Sequence, residues 1–354
     1  MRVAFLTPNL PGLVCGLADH SRLLGEALVR KGYDVGLIGR HGDPVAARSA
    51  GWSGYAAIWD GTPSGLGRSL ERMSADWLWV QLSGYGYSRW GAPWRLACAL
   101  KAARHRHPAL LLAICVHETH CEPHQLGRKG QVLSTWQRFT IACIVRLGDL
   151  VLPTIPLWEQ RCLKDYGVHP SRVQLLPIAA NVPPVRPTAD QRNLWRKELG
   201  IGPSDRVAVA FGRWTSQKLA LERFGPTICT ALVQGGLNHV VAVGGESPSR
   251  PPWVGSMLAK PPWVGRLHIL GPQPARRAAE ILAAGDVGLV PSPWEVWGKS
   301  GVARAFEQAG LTLWILDTPG YRVVPPNPHP PTWDGLAETV VRRLEANARG
   351  DRCA

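Results

Sequence analysis

No apolar run in this chain reaches the roughly 18 residues that a membrane-spanning helix requires, so a helical integral membrane protein is excluded. The N-terminal stretch, Met1 to Pro8, is too short an apolar run for a secretory signal and reads better as a first strand. A cytoplasmic, soluble protein is the resulting expectation. The eight cysteines (15, 98, 115, 121, 143, 162, 229 and 353) contain no CxxC pair and no regular framework, which argues against a disulfide scaffold. They are expected to be reduced core or near-surface thiols. Acid is scarce too: 26 Asp and Glu face 40 Lys and Arg, a formal net charge of +14. Such a surface attracts anions. The basic residues are scattered, however, and the densest spots, Arg104-His-Arg-His107 and Arg342-Arg343, are not interleaved with aromatics, so no nucleic-acid partner is expected.

What remains is an ordinary globular composition, 45% hydrophobic and 19% charged, over 354 residues, enough for two domains. Apolar runs and the punctuation between them give the organisation. Val3 to Thr7 is a short buried strand followed by a Gly/Pro loop from Pro8 to Gly16. Leu23, Leu24, Ala27 and Leu28 then repeat at helical spacing within His20 to Lys31, and Asp34 to Ile38 begins a second strand. Trp77 to Leu82, Leu110 to Val116, Val151-Leu152 and Val173 to Pro177 continue the strand pattern, with a helix at Ala97 to His105. The Pro-rich stretch from Ile178 to Pro187 interrupts all periodicity. It divides the chain into a domain over 1–180, a linker over 181–190, a second domain over 191–330, and a C-terminal helix and tail over 331–354. In the second half Arg206 to Phe211, His239 to Val243, Leu267 to Leu270, Val287 to Val290 and Leu313 to Leu316 are strands, with helices at Arg276 to Ala284 and Trp333 to Ala348. The near-duplicate Pro-Pro-Trp-Val-Gly at 251 and 261 is too short for a structural repeat and marks a loop. The expected fold class is α/β, with two Rossmann-like, doubly wound domains whose parallel sheets face a central cleft.

One segment carries the chemistry. Pro291-Ser-Pro-Trp-Glu295-Val-Trp297-Gly298-Lys299-Ser300-Gly301 follows a buried strand and precedes a helix over Val302 to Ala309. A strand running into a Gly-containing loop and a helix start presents backbone N–H groups and a positive dipole end to a phosphate. Lys299 and Ser300 add a cation and a hydroxyl. The Walker pattern is incomplete, because Pro293 stands where its first Gly should be, so a P-loop NTPase is not expected.

The order of motifs resembles retaining, GT-B-fold glycosyltransferases of the large family four. In the second half it runs as a strand, Gly-Arg213, Lys218, Leu-Gly271-Pro, Ala-Gly-Asp286-Val-Gly-Leu-Val-Pro291-Ser292, then Glu295-Val-Trp-Gly298. In the first half the Pro8 to Gly16 loop, Ala18-Asp19-His20-Ser21 and Val116-His117-Glu118-Thr119 agree with it. The resemblance implies a hexosyltransferase with a nucleoside-diphosphate-sugar donor, of UDP or GDP type, held mainly by the C-terminal domain. The acceptor is a saccharide, lipid or small molecule. Arg213 and Lys218 match the diphosphate-binding cations, His117 the histidine near the reacting sugar, Glu295 the carboxylate beside the sugar, and Gly16 the close approach to the diphosphate. Trp297, Gly298, Lys299, Ser300 and Gly301 form the loop and helix start facing the donor. No metal and no cofactor is implied, since two cations serve the departing diphosphate. Set against this, His117 reads equally as a capped strand end and Gly16 as a turn residue, whereas the reading of Arg213 and Lys218 as solvated loop charges is the weaker one, given their place just after a strand's carboxyl end.

The family carries a second Glu eight residues after the first, bonding the ribose; here that position is Ala303, and the nearest later acid is Glu307, one helical turn on. A catalytically silent binding subunit and a sugar-nucleotide epimerase therefore stay open. On the acceptor side, Gln81 to Trp90 is rich in aromatic and hydroxyl groups, suited to stacking on a sugar ring. His117-Glu118-Thr-His120-Cys-Glu122-Pro-His124 matches no zinc spacing and is expected to be a polar loop. The basic balance, with Arg89, Trp90, Trp94 and Arg95, predicts peripheral contact with an anionic membrane.

Overall fold

The computed structural model describes residues 1–13, 15–122, 127–317 and 320–348. The chain forms two compact units, one from Met1–Ile178 together with the chain from Thr332, the other from Ala179–Pro331. In the first, β1 (Arg2–Asn9), β2 (Asp34–His41), β3 (Tyr55–Ile58), β4 (Trp77–Leu82), β5 (Leu111–Val116) and β6 (Leu150–Pro153) form one sheet. Its order is β3-β2-β1-β4-β5-β6, with every pair parallel. Strands buried on both faces need continuous apolar runs, and β4 (WLWVQL) is buried at every position. The order reverses between β1 and β4, so the crevice at their carboxyl ends is where such a sheet binds ligands.

The second unit holds β7 (Val207–Phe211), β8 (His239–Val243), β9 (Leu267–Gly271), β10 (Val287–Pro293), β11 (Thr312–Asp317) and β12 (Gly320–Val324), in the order β12-β11-β10-β7-β8-β9. Here the reversal lies between β7 and β10. The expectation of parallel sheets needs one correction, because β12 runs antiparallel to β11 at the sheet edge. Only two residues separate these strands, too few for the crossover that a parallel pair needs.

Two further expectations change. Val173 to Pro177 makes only an isolated bridge, Val173 to Val151. Gln174 N and Leu176 N donate to Val151 O and Pro153 O. Pro153 has no N–H to return to the segment, so the ladder does not develop. The duplicated pentapeptide is not simply a loop. Its first copy opens the helix Pro252–Leu258 and buries Val254, whereas the second lies in a turn that buries Trp263 and exposes Val264. Tertiary surroundings, not the shared five residues, decide the conformation.

The final helix, Trp333–Ala348, belongs to the first unit and lies against the helix Gly16–Arg30. Leu336, Ala337, Val340 and Leu344 form its buried stripe at helical spacing. Arg30 and Lys31 pair with Asp334 and Glu338 at 2.8 and 2.7 Å. In the second unit Thr188 and Gln191 form a capping box on the helix Ala189–Glu198, so the last two residues of the expected linker are helical.

Candidate active site

Around the β7/β10 reversal the structure gathers most of the residues expected to meet a donor. β7 ends at Phe211, and Gly212 follows with φ +113°. A Cβ on Gly212 would lie 3.2 Å from Val302 Cγ2, which places the β7 turn against the helix Gly301–Gln308 that follows β10. The next strand end is as tight. Gly244 has φ +108°, and a Cβ there would meet Gly212 O at 2.5 Å, a contact that only glycine avoids.

Arg213 is the N-cap residue of the helix Trp214–Arg223, and its side chain is exposed. Its nearest carboxylate is Glu246, 4.0 Å from Nε. The other Glu246 oxygen accepts from Trp214 N at 2.9 Å, so a carboxylate already caps this helix start. Lys218 sits one turn into the same helix and pairs with Glu222 four residues on. Both partners are substantially exposed, and such a pair is worth only about 0.3–0.5 kcal/mol. Exchanging Glu222 for a diphosphate oxygen therefore costs little.

β10 slips register against β11 between Val290 and Pro293, where Pro291 and Pro293 lack the N–H a ladder needs. The chain leaves the sheet there. Glu295 is exposed in the loop, Trp297–Lys299 form a single 3₁₀ turn, and Ser300 caps the helix by accepting from Ala303 N at 3.3 Å. Arg304, unremarked in the sequence, ties this loop together. Its Nη2 donates to Gly298 O at 3.0 Å, its Nη1 to Glu307 Oε2 at 2.6 Å, and its guanidinium lies 5.3 Å from the Trp297 ring centroid. Ala303 is fully buried in the apolar core. Glu307 lies on the same helix face one turn later, only 4% exposed, with its charge met by Arg304.

In the first unit Gly16 is the first residue of the helix Gly16–Arg30, not a loop residue, and a Cβ added there would meet nothing within 4 Å. His117 follows the end of β5 and is buried. Its Nε2 lies 2.6 Å from Gln81 Oε1, while Gln81 Nε2 lies 3.1 Å from His20 Nδ1. An amide oxygen accepts and an amide nitrogen donates, so His117 carries a proton on Nε2, and His20 accepts at Nδ1 with its own proton on Nε2. Gln81 thus locks both rings. His20 Nε2 is buried without a hydrogen-bond partner among the described residues. The rings of His117 and Trp333 pack edge-on to that of His20, at 4.8 and 5.1 Å.

No His cluster is evident from spacing, yet His20, Cys115 and His117 bring ligand atoms within 4.8 Å of one another. The fit to a cation is poor. His117 Nε2 holds its proton for Gln81, and burial pushes the Cys115 thiol well up, away from the thiolate a metal takes. The polar run after His117 is organised differently, by Arg161, which donates to Thr119 Oγ1 and His120 O and pairs with Glu122. Pro123 and His124 lie outside the described residues.

Burial holds the His20 imidazole far under its ordinary 6.5, at about 3. Below pH 6.5 the unfolded chain takes up a proton that the folded chain refuses. The contribution of His20 is thus complete above pH 6.5 and is lost as pH falls toward 3, by about 1.4 kcal/mol per pH unit. Between pH 7.5 and 4.5 the wild type is expected to lose about 3 kcal/mol more than a His20→Gln variant, measured by urea unfolding. Equal losses in the two proteins would show that His20 is not held neutral.

No family model matches the chain. A curated relative, the D-inositol 3-phosphate glycosyltransferase of Nocardia farcinica (strain IFM 10152), is 26% identical over 183 residues, which is 50% of this chain and 39% of the relative. The match thus spans well under half of that relative's length. Among solved structures, Anabaena Alr3699/HepE in complex with UDP covers 98% of this chain and 91% of its own, at 14% identity and TM-score 0.59. A glycosyltransferase from Rickettsia africae ESF-5 covers 98% and 88%, at 11% identity and TM-score 0.58. The UDP-GlcNAc 2-epimerase of Methanocaldococcus jannaschii covers 98% and 99%, at 9% identity and TM-score 0.56. Two six-stranded, predominantly parallel sheets and a likeness that runs the length of these proteins identify the fold of this chain as GT-B.

Proposed function

We infer that this protein is a glycosyltransferase that moves a hexose from a nucleoside-diphosphate sugar, UDP-linked by preference, to a saccharide, lipid or small-molecule hydroxyl, with retention at the anomeric carbon. The observation that carries this reading is the convergence of Arg213 with the loop 291–301 and its helix start at one sheet reversal, where α/β proteins bind anionic ligands. The UDP complex of the HepE structure and the curated glycosyltransferase relative support the donor class.

In this reaction the bond from the anomeric carbon to the diphosphate breaks and its electron pair leaves with the diphosphate. The acceptor oxygen forms the new bond and gives up its proton to the departing diphosphate. Negative charge grows on the departing group, so Arg213, Lys218 and the helix start at Ser300–Gly301 stabilise it without requiring a metal. In the second unit Glu295 is the group proposed to serve the transferred sugar. In the first unit His117, its ring fixed by Gln81, is proposed to meet a sugar hydroxyl, and Gly16 a phosphate. Trp297, Gly298 and Lys299 shape the donor loop. Glu307 is the one later acid on this helix that could serve the ribose in place of Ala303, and to do so it must give up its pairing with Arg304. The seven described cysteines are free thiols, in keeping with a reducing, cytoplasmic setting. The net charge of +14 supports peripheral contact with an anionic membrane.

A panel of nucleotide sugars tests the reading through thermal shift and release of free nucleoside diphosphate. UDP sugars are expected to raise the melting temperature and to be turned over when acceptor is present. No shift and no release with any donor would overturn it. The structural likeness to the epimerase favours one rival, which predicts conversion of the donor sugar with no acceptor present.

A further inference from the structure

The helix Gly127–Leu147 is apolar on two sides. Its inner face packs into the first unit through Ile141, Ile144 and Val145. Its outer face carries Val132, Trp136 and Phe139 at i, i+4 and i+7, one stripe by helical periodicity, and these are 74%, 46% and 59% exposed. The neighbouring helix, Trp94–Arg106, extends the patch. Trp94 is 48% exposed and stacks on Phe139 with ring centroids 6.2 Å apart. Trp90 is also exposed, and the Gln137 side chain anchors its loop by donating to Trp90 O at 2.7 Å. Three indoles and a phenyl ring together on a surface are not the scattered apolar residues of an ordinary exterior.

The two helices that carry this patch are basic. Residues 83–117 and 123–148, which include both helices, contain no Asp or Glu, against nine Lys and Arg. Arg104 and Arg138 are paired to Asp149 and Asp165, which lie outside these segments. Arg89, Arg95, Lys101 and Lys129 are exposed. Aromatic residues beside cations on a helix that lies along a surface are what an anionic bilayer interface selects. A second copy of this chain would suit the patch poorly. A two-fold interface sets the same patch against itself, and here that would bring one basic rim against another.

We propose that the face formed by Trp94, Trp136, Phe139 and Val132 is a docking surface for an anionic lipid bilayer, with Arg95 and Lys129 at its rim. It rests on the peripheral contact in the functional reading and not on transfer activity. The test is co-sedimentation of the full chain with vesicles of phosphatidylcholine containing about 30% phosphatidylglycerol, against phosphatidylcholine alone. The wild type is expected to pellet with the anionic vesicles, to be released by high salt, and to show a blue shift of tryptophan emission. Trp136→Ser/Phe139→Ser is expected to weaken binding at least tenfold, as is Arg95→Glu/Lys129→Glu. Thermal melts of both variants report that the fold is kept, and a melting variant leaves the other to decide. Nucleoside diphosphate release with a soluble acceptor is expected to be unchanged in both, so failure of the lipid contact is distinguishable from failure of transfer. Equal pelleting with neutral and anionic vesicles would overturn the proposal, as would wild-type binding by the folded variants. Self-association without vesicles, lost in Trp136→Ser/Phe139→Ser, would overturn it in favour of a contact between copies.

Discussion

Replacement of Arg213 by alanine is expected to lower sugar transfer by about 10²- to 10³-fold, the range found when one preorganised donor to a developing anion is removed. The residue is placed for such an effect and for little else. It stands at the carboxyl end of β7, at the sheet reversal, on a turn held by Gly212 and Gly244. Its side chain is exposed and its closest carboxylate, Glu246, is 4.0 Å away, so its removal breaks no strong internal contact. The melting temperature without ligand should hardly move. Turnover at saturating donor should fall sharply, because the charge that Arg213 meets is larger in the transition state than in bound substrate. Arg213→Lys should recover part of the rate, keeping the charge and losing the bidentate geometry. If transfer by Arg213→Ala stays within about threefold of wild type, Arg213 does not meet the diphosphate.

The route to Arg213 in the sequence was short. An apolar run ending in glycine and a cation is legible as a strand, a turn and an anion site, and the same holds for the strand before Pro291. The proteins of known structure that are similar to this chain bear out the fold read from both halves. Partners several dozen residues apart were not legible. Gln81 was visible as one polar residue in an aromatic loop, and only the β1/β4 reversal sets it between His20 and His117. Nothing in the sequence marks Arg304, although it neutralises buried Glu307 and holds Gly298. The helix Gly127–Leu147 is not legible from periodicity, because its outward Val132, Trp136 and Phe139 blur the single apolar stripe of an amphipathic helix. Periodicity reports burial against the protein's own core. Where apolar residues face outward, the pattern fails, and the failure marks a surface with another purpose.

The largest effect on stability is expected at the opposite end of the same strands, where Asp286 begins the approach to the donor loop. Its Oδ2 accepts from Val207 N at 2.8 Å and from Arg196 Nη2 at 2.7 Å, and its Oδ1 accepts from Arg192 Nη2 at 2.5 Å. Arg196 is only 2% exposed and also donates to Ala284 O, Pro203 O and Asp205 O at 2.8–2.9 Å. One guanidinium therefore joins the helix Ala189–Glu198 to the starts of β7 and β10, the two strands that flank the proposed anion site. Truncating a buried member of such a network leaves acceptors stripped of both water and donor, a cost of about 3–5 kcal/mol. Arg196→Ala is expected to lose this amount in urea unfolding, and Asp286→Asn less, since Asn keeps an acceptor for Val207 N. Because the residues share partners, the double variant should lose less than the sum of the two. Strict additivity would mean that the pair is not coupled. A loss under about 1 kcal/mol for Arg196→Ala would mean that water satisfies the carbonyls and that the two strands are held together by apolar packing alone.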